Sequence, residues 1–228
     1  KTCTPVATSV TCNGQCGNIV NNCQQTVNCG ACVCQPSCAG KCSGGSDGCG
    51  GACTGDCGAN QICDGGVCHT CDVCAAACTY DNLREAVNEA STGATLYVCA
   101  GTYTRFDQGN GEVLSIEETN LTVVGAGSSE DGGTILDGGG AVSGAVVVEI
   151  IDATVELRSL RITGGNRETD ICGGVKLRGS TVTLDDVTVI DNSSTVAGGG
   201  IVVESTSTLT LKNSTVTDNT APDGAGIL

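Results

Sequence analysis

Three segments of the chain align without gaps, each starting 27 residues after the last: TVELRSLRITGGN from Thr154, TVTLDDVTVIDNS from Thr181 and TLTLKNSTVTDNT from Thr208. A second apolar segment travels with them. It reads GGVKL ending at Leu177, GGIVV ending at Val203 and GAGIL at the C-terminus, with Val175, Ile201 and Ile227 spaced 26 apart. VLSI at 113–116 and AVVVEI at 145–150 are looser copies. A period in the twenties, with several short strands per unit, is the signature of a parallel β-solenoid, in which each unit buries its apolar face on the next. Helical repeats are excluded because the Thr/Val-rich segments alternate with period two.

The alternation assigns the core. Val155, Val182 and Leu209 stack at one inward position, and Leu157, Leu184 and Leu211 at the next. After a bend come Leu160 and Val187, then Ile162, Val189 and Val216. Successive coils lie about 4.8 Å apart, so these positions form continuous aliphatic ladders. Gly173-Gly174 and Gly198-Gly199-Gly200 read as corners needing unusual backbone angles. Asn192 falls over Asn219, where stacked amides can bond along the axis, and Asp191 over Asp218, a pair suited to solvent or a cation.

The cysteines lie elsewhere. Seventeen of the 19 fall between Cys3 and Cys78, and only Cys99 and Cys172 lie beyond. Cys12, Cys16 and Cys23 are separated by four and seven residues, as are Cys38, Cys42 and Cys49. The first set continues to Cys29 and Cys32, the second to Cys53 and Cys57, and a third unit comprises Cys57, Cys63, Cys68, Cys71, Cys74 and Cys78. With Cys34, these form a disulfide framework of two or three small modules in a row, as expected in an oxidising compartment. Few aliphatics are present to hold this segment together otherwise. Zinc at the C-x-x-C pairs Cys29/Cys32 and Cys71/Cys74 is the competing reading, with His69 the one possible nitrogen ligand. An odd number of cysteines before residue 79 means that at least one pairs outside the segment or stays free. Cys99 is expected to bridge back to Cys78 or Cys74, leaving Cys172 as a buried thiol or an intermolecular link.

The composition break gives three regions: 1–78, a Cys-rich disulfide-stapled domain; 79–111, a helix and first strand; 112–228, the solenoid repeats. In DNLREAVNEA at 81–90, Leu83, Ala86, Val87 and Ala90 share one helical face, with Asp81 as N-cap and Gly93 as stop. TLYVCAGTY follows as a strand ending in a turn.

LREAVNEASTGATLYVCAGTY, with GTILDGGG downstream, resembles the opening of right-handed parallel β-helix domains of the pectin-lyase-like superfamily. GGVKL…VTVIDN and GGIVV…STVTDN are similar to the GG-aliphatic and F-x-x-N repeats of polymorphic outer-membrane proteins, with Val189 and Val216 in place of Phe. The resemblance covers roughly 81–228. It implies an all-β fold, a right-handed parallel β-helix of about four coils with an N-terminal capping helix, to which the cysteines add a small disulfide-rich N-terminal domain. The superfamily includes enzymes, adhesins and structural shafts, so it implies no single activity.

The chemistry narrows the choice. A net charge of -15 with 2% aromatics disfavours nucleic-acid binding, and no apolar run approaches a membrane span. Arg158, Asp185 and Lys212 stack outward at 27-residue spacing and read as a ladder of alternating charge. Asp185-Asp186 would share a catalytic site only if the strand bent there. His69, the one histidine, lies among cysteines, so the solenoid carries no histidine-based triad. Thr181-Val-Thr183 and Thr208-Leu-Thr210, joined by Thr154, place threonine ranks outward, an array that could order water as ice-binding solenoids do. Asn120-Leu-Thr, Asn192-Ser-Ser and Asn213-Ser-Thr are N-glycosylation sequons.

The expectation is therefore a secreted or surface-exposed structural and adhesive protein, located outside the cell or at its surface. It is not read as an enzyme. Its partners would be other copies, surface proteins or polysaccharide; a carbohydrate-active enzyme is the alternative, and an ice-binding solenoid a minor one. No cofactor is called for, calcium being the one ion the acidic turns leave room for. The chain opens at Lys1 without an apolar leader and reads as a mature export product. It stops at Ile227 and Leu228 within a strand, an end expected to be covered in an extended assembly, a filament or a longer chain.

Overall fold

The computed structural model describes residues 18–28, 37–46, 52–105, 111–140, 146–168 and 171–228. Among the described residues, two short antiparallel hairpins precede the repeats: β1 (Asn18–Val20) with β2 (Thr26–Asn28), and β3 (Gln61–Asp64) with β4 (Val67–Thr70). Helix α1 (Leu83–Glu89) follows. Then come β5 (Ala94–Tyr97), β6 (Gly101–Thr104), β7 (Leu114–Glu117), β8 (Leu121–Val124), β9 (Thr134–Asp137) and β10 (Val148–Ile151). The long β11 (Thr154–Thr163) is followed by β12 (Asn166–Arg167), β13 (Val175–Arg178) and the equally long β14 (Thr181–Ile190). The last are β15 (Ser193–Ser194), β16 (Ile201–Val203), β17 (Thr208–Lys212) and β18 (Thr215–Thr217).

From β5 onward each strand pairs in parallel with its counterpart one coil away. One sheet runs β5-β8-β11-β14-β17 and continues past a bend through β6-β9-β11 and β14-β18; a second runs β7-β10-β13-β16. The protein is a parallel β-solenoid of about four turns. The 27-residue register holds residue by residue, with Val155 opposite Val182 opposite Leu209, and Leu157 opposite Leu184 opposite Leu211. The ladders also reach back to Ala94 and Leu121, and to Leu96 and Val123. Val175, Ile201 and Ile227 stack in the second sheet. Apart from Leu211 and Ile227, which are exposed, these side chains pack into one continuous core with Leu83, Ala86 and Val87 of α1. The helix is capped by Asn82 rather than Asp81: the Asn82 Oδ1 accepts from the Glu85 N–H at 2.8 Å, while Asp81 instead accepts from the Asn82 side chain.

The bends have a repeated chemistry. Ser159, Asp186 and Asn213 occupy the left-handed region, with φ of 54°, 55° and 49°, which short polar side chains tolerate better than others. At the corners an inward polar side chain secures the coil before it. The Ser180 hydroxyl donates to the Ile150 carbonyl and accepts from the Ala153 N–H. Ser214 does the same for Leu184 and Val187. Asn192 does so for Ile162 and Gly165. Asn192 also donates to Asn219 at 3.0 Å, the stacked-amide contact expected of the repeat.

Of the glycine corners, Gly198 has a positive φ, 67°; Gly173, Gly174, Gly199 and Gly200 do not. They are glycine for a different reason: a Cβ at Gly174 would run into the Gly200 carbonyl, and one at Gly200 into that of Gly226. The coils approach too closely there for any side chain. One stretch breaks the period. Leu121 to Leu136 spans fifteen positions where its paired stretch, Val155 to Ile162, spans seven. The extra residues form a loop at 126–133 that climbs the bend, with Ser128 donating to Asp186 at 3.1 Å.

Candidate functional site

The Cys-rich head is interlocked rather than a row of separate modules. Cys38 pairs with Cys53, Cys42 with Cys63 and Cys57 with Cys68, so the second and third sequence units are cross-linked to each other. Cys23 is also in a disulfide. Cys3, Cys12, Cys16, Cys29, Cys32, Cys34 and Cys49 lie outside the described residues, and with them the first C-x-x-C pair. The second pair, Cys71/Cys74, belongs to two different disulfides, which removes it as a zinc site. The bridge from head to solenoid is Cys71–Cys99; Cys74 closes a short loop with Cys78 instead. Cys99 therefore pairs with Cys71 and not with the expected Cys74 or Cys78. The cause is backbone pairing: Val73 lies parallel to Val98, with the Cys99 N–H donating to the Val73 carbonyl at 3.0 Å, which brings Cys71 alongside Cys99.

Around this bridge the head is seated on the solenoid. The His69 ring stacks on Tyr97, centroids 4.3 Å apart and planes 12° from parallel. Ile62 packs with Val124, Cys71, Cys74 and Cys99. The Tyr97 N–H donates to the Asp72 carboxylate at 2.9 Å, and Arg158 forms an ion pair with Asp64 at 3.1 Å. Burial, and next the Asp64 charge, push the Tyr97 hydroxyl pKa up. The Tyr103 hydroxyl, whose pKa burial raises to about 12, faces the carbonyls of Val73 and Cys99. Replacing Cys71 and Cys99 together by Ser should cost about 3 kcal/mol through the loop-closure entropy returned to the unfolded chain. The measurement is the urea midpoint of the double variant against the parent under non-reducing conditions; a shift worth less than about 1 kcal/mol would mean that the non-covalent seam suffices.

The outward charges are distributed by this seam. Arg158, Asp185 and Lys212 are in register, as expected. Yet Arg158 reaches the head, and Asp185 accepts from the Asn213 amide at 2.9 Å. The simple alternating ladder is therefore replaced by contacts to other partners. The strand does bend at Asp186, but the two carboxylates separate: Asp185 takes Asn213 and Asp186 takes Ser128. On the second sheet the charges pair diagonally between coils, Glu149 with Arg178 at 3.1 Å and Lys176 with Glu204 at 3.4 Å.

The first sheet leaves one face uncovered beyond the head. Its ranks run Thr154, Thr181, Thr208 and Thr95, Thr122, Glu156, Thr183, Thr210. A shallow depression of about 320 Å³ lies over it, bordered by Asn120, Glu156, Thr183 and Lys212. Thr95 and Thr122 escaped the sequence reading because their strands lie outside the ungapped repeats. Threonine also recurs past the bend at Thr188 and Thr215, so the residue marks strand surface in general rather than this face alone.

Of the three sequons, Asn120 and Asn213 are exposed, whereas Asn192 is 1% exposed and consumed by the corner network. Asn192 is thus a structural residue of the corner. Cys172 is a free, fully buried thiol packed with Val146, Ile171 and Val202. Burial pushes its pKa up to about 12. In the native protein at pH 8 it should therefore resist iodoacetamide and react only on denaturation, as intact mass before and after urea would record; rapid native labelling would contradict the burial. Ile227 and Leu228 are about half exposed, Ile227 bridging to Ile201.

No protein-family model, curated protein or solved structure matches this sequence.

Proposed function

We propose that the protein is a structural and adhesive module acting outside the cell or at its surface, the solenoid a rigid spacer or contact surface and the Cys-rich head its stapled end. The observation that carries this reading is the commitment of the outward charges. Arg158, Asp185, Asp186, Glu149 and Lys176 are each engaged by a partner within the fold, rather than converging on one concave site. The winding is right-handed, as parallel crossover connections almost always are. Helix α1, by burying Leu83, Ala86 and Val87 in the core, serves as its cap, in the manner of pectin-lyase-like domains. A carbohydrate-active enzyme is the second reading, favoured by the depression beside Glu156 and Lys212. One experiment separates them. Acidic polysaccharides are incubated with the protein, followed both for retention on the immobilised chain and for release of unsaturated or reducing ends. Retention without release supports the adhesive reading, release overturns it, and neither would remove polysaccharide as the contact partner.

A further inference from the structure

The three sequons differ in which amide atom the fold uses. At Asn120 it is the oxygen: Oδ1 accepts from the Thr154 N–H at 2.7 Å, one coil up, and the residue is exposed. Its Nδ2 is not needed for that bond. At Asn213 the nitrogen donates to Asp185 at 2.9 Å, a bond that one remaining N–H can keep, and the residue stands exposed at a bend. At Asn192 the nitrogen faces the carbonyls of Ile162 and Ile190 and the Asn219 amide, at 3.0–3.1 Å, so both its hydrogens are consumed. The third residue of that sequon is closed as well. Ser194 is 4% exposed, and its hydroxyl accepts from the N–H groups of Val196 and Ala197.

We propose that Asn120 and Asn213 are N-glycosylation sites of the folded protein and that Asn192 is not, whenever the chain passes through a glycosylating secretory pathway. This rests on the extracellular reading above. The transfer forms a bond from Nδ2 to the anomeric carbon of the sugar. It breaks that carbon's bond to the pyrophosphate of a lipid-linked oligosaccharide, releases the lipid pyrophosphate, and removes one amide proton. The product at Asn120 still presents Oδ1 to Thr154. The product at Asn192 would lose a hydrogen bond and have to house a sugar where there is no space. Asn120 lies in the outward rank of Thr154 and Thr181, and Asn213 follows Lys212, so the two glycans would stand at opposite margins of the uncovered sheet face.

The test is expression of the full chain in a eukaryotic secretory cell, with glycopeptide mapping of the secreted and the cell-retained pools. The expected result is occupancy at Asn120 and Asn213 in the secreted protein, with Asn192 bare. Thr122→Val should abolish only the first glycan and Thr215→Val only the second, each with an unchanged melting temperature. Secreted protein bare at both asparagines, or glycosylated at Asn192, would overturn the inference while leaving an extracellular role intact. If the chain is not secreted, the extracellular reading falls. The retained molecules that have formed the Cys71–Cys99 bridge then decide the site question by the same occupancies.

Discussion

Substitution of Asn192 by Leu is expected to destabilise the protein by roughly 3–6 kcal/mol, because it leaves several buried polar groups without partners at about 1–3 kcal/mol each. Those groups are the Gly165 N–H and the Ile162 and Ile190 carbonyls; the Asn219 amide oxygen keeps its bond from the backbone N–H of residue 192. Leu keeps the branched skeleton of Asn but is bulkier, so overpacking at this buried corner adds to the lost hydrogen bonds. Urea titration followed by circular dichroism reads the effect. Asn219→Leu, at a half-buried position of the same ladder, should cost less. Equal shifts for the two, or a shift below about 1 kcal/mol at Asn192, would mean that the corner network does not hold the coils together.

The second large effect is expected at Leu157. It is fully buried, between Val123 and Leu184 in the ladder, and its replacement by Ala should cost about 3–5 kcal/mol as lost transfer energy plus a cavity. Leu211 occupies the same ladder two coils on but is 39% exposed. Leu211→Ala should therefore cost less, about 1–2 kcal/mol, since over a third of its surface already faces solvent and the change leaves no closed cavity. The contrast between two leucines at equivalent repeat positions tests the ladder more sharply than either alone. Comparable losses would mean that Leu211 is covered in solution.

The solenoid was legible in the sequence to the level of individual residue pairs. Val155 over Val182 over Leu209 follows from spacing alone, because in-register parallel pairing converts a fixed period into vertical stacks. The earlier coils were harder to read, since the loop at 126–133 shifts the period and hides Thr122 and Leu136 from an ungapped alignment. The seam with the head was not legible at all. Nothing local to Asp64 and Arg158, separated by 94 residues, marks them as partners. The disulfide between Cys71 and Cys99 depends on where Val73 pairs, which spacing does not encode. Cysteine counting establishes only that at least one head cysteine bridges outward or stays free, and several cysteines satisfy the count. The same limit explains Asn192: a sequon and an inward corner amide have the same local sequence, and burial alone distinguishes them.

The loop at 126–133 has a practical consequence. It inserts at the bend after Val124 without displacing the pairing of Leu121 with Val155 or of Leu136 with Ile162. The bends at Asp186 and Asn213 have the same left-handed backbone, and each is followed by a strand anchored through its own ladder. They are thus natural grafting points. Foreign peptides of similar length placed there would be displayed at heights along the shaft set by coil number, about 4.8 Å per coil, making the protein a molecular ruler for positioning epitopes.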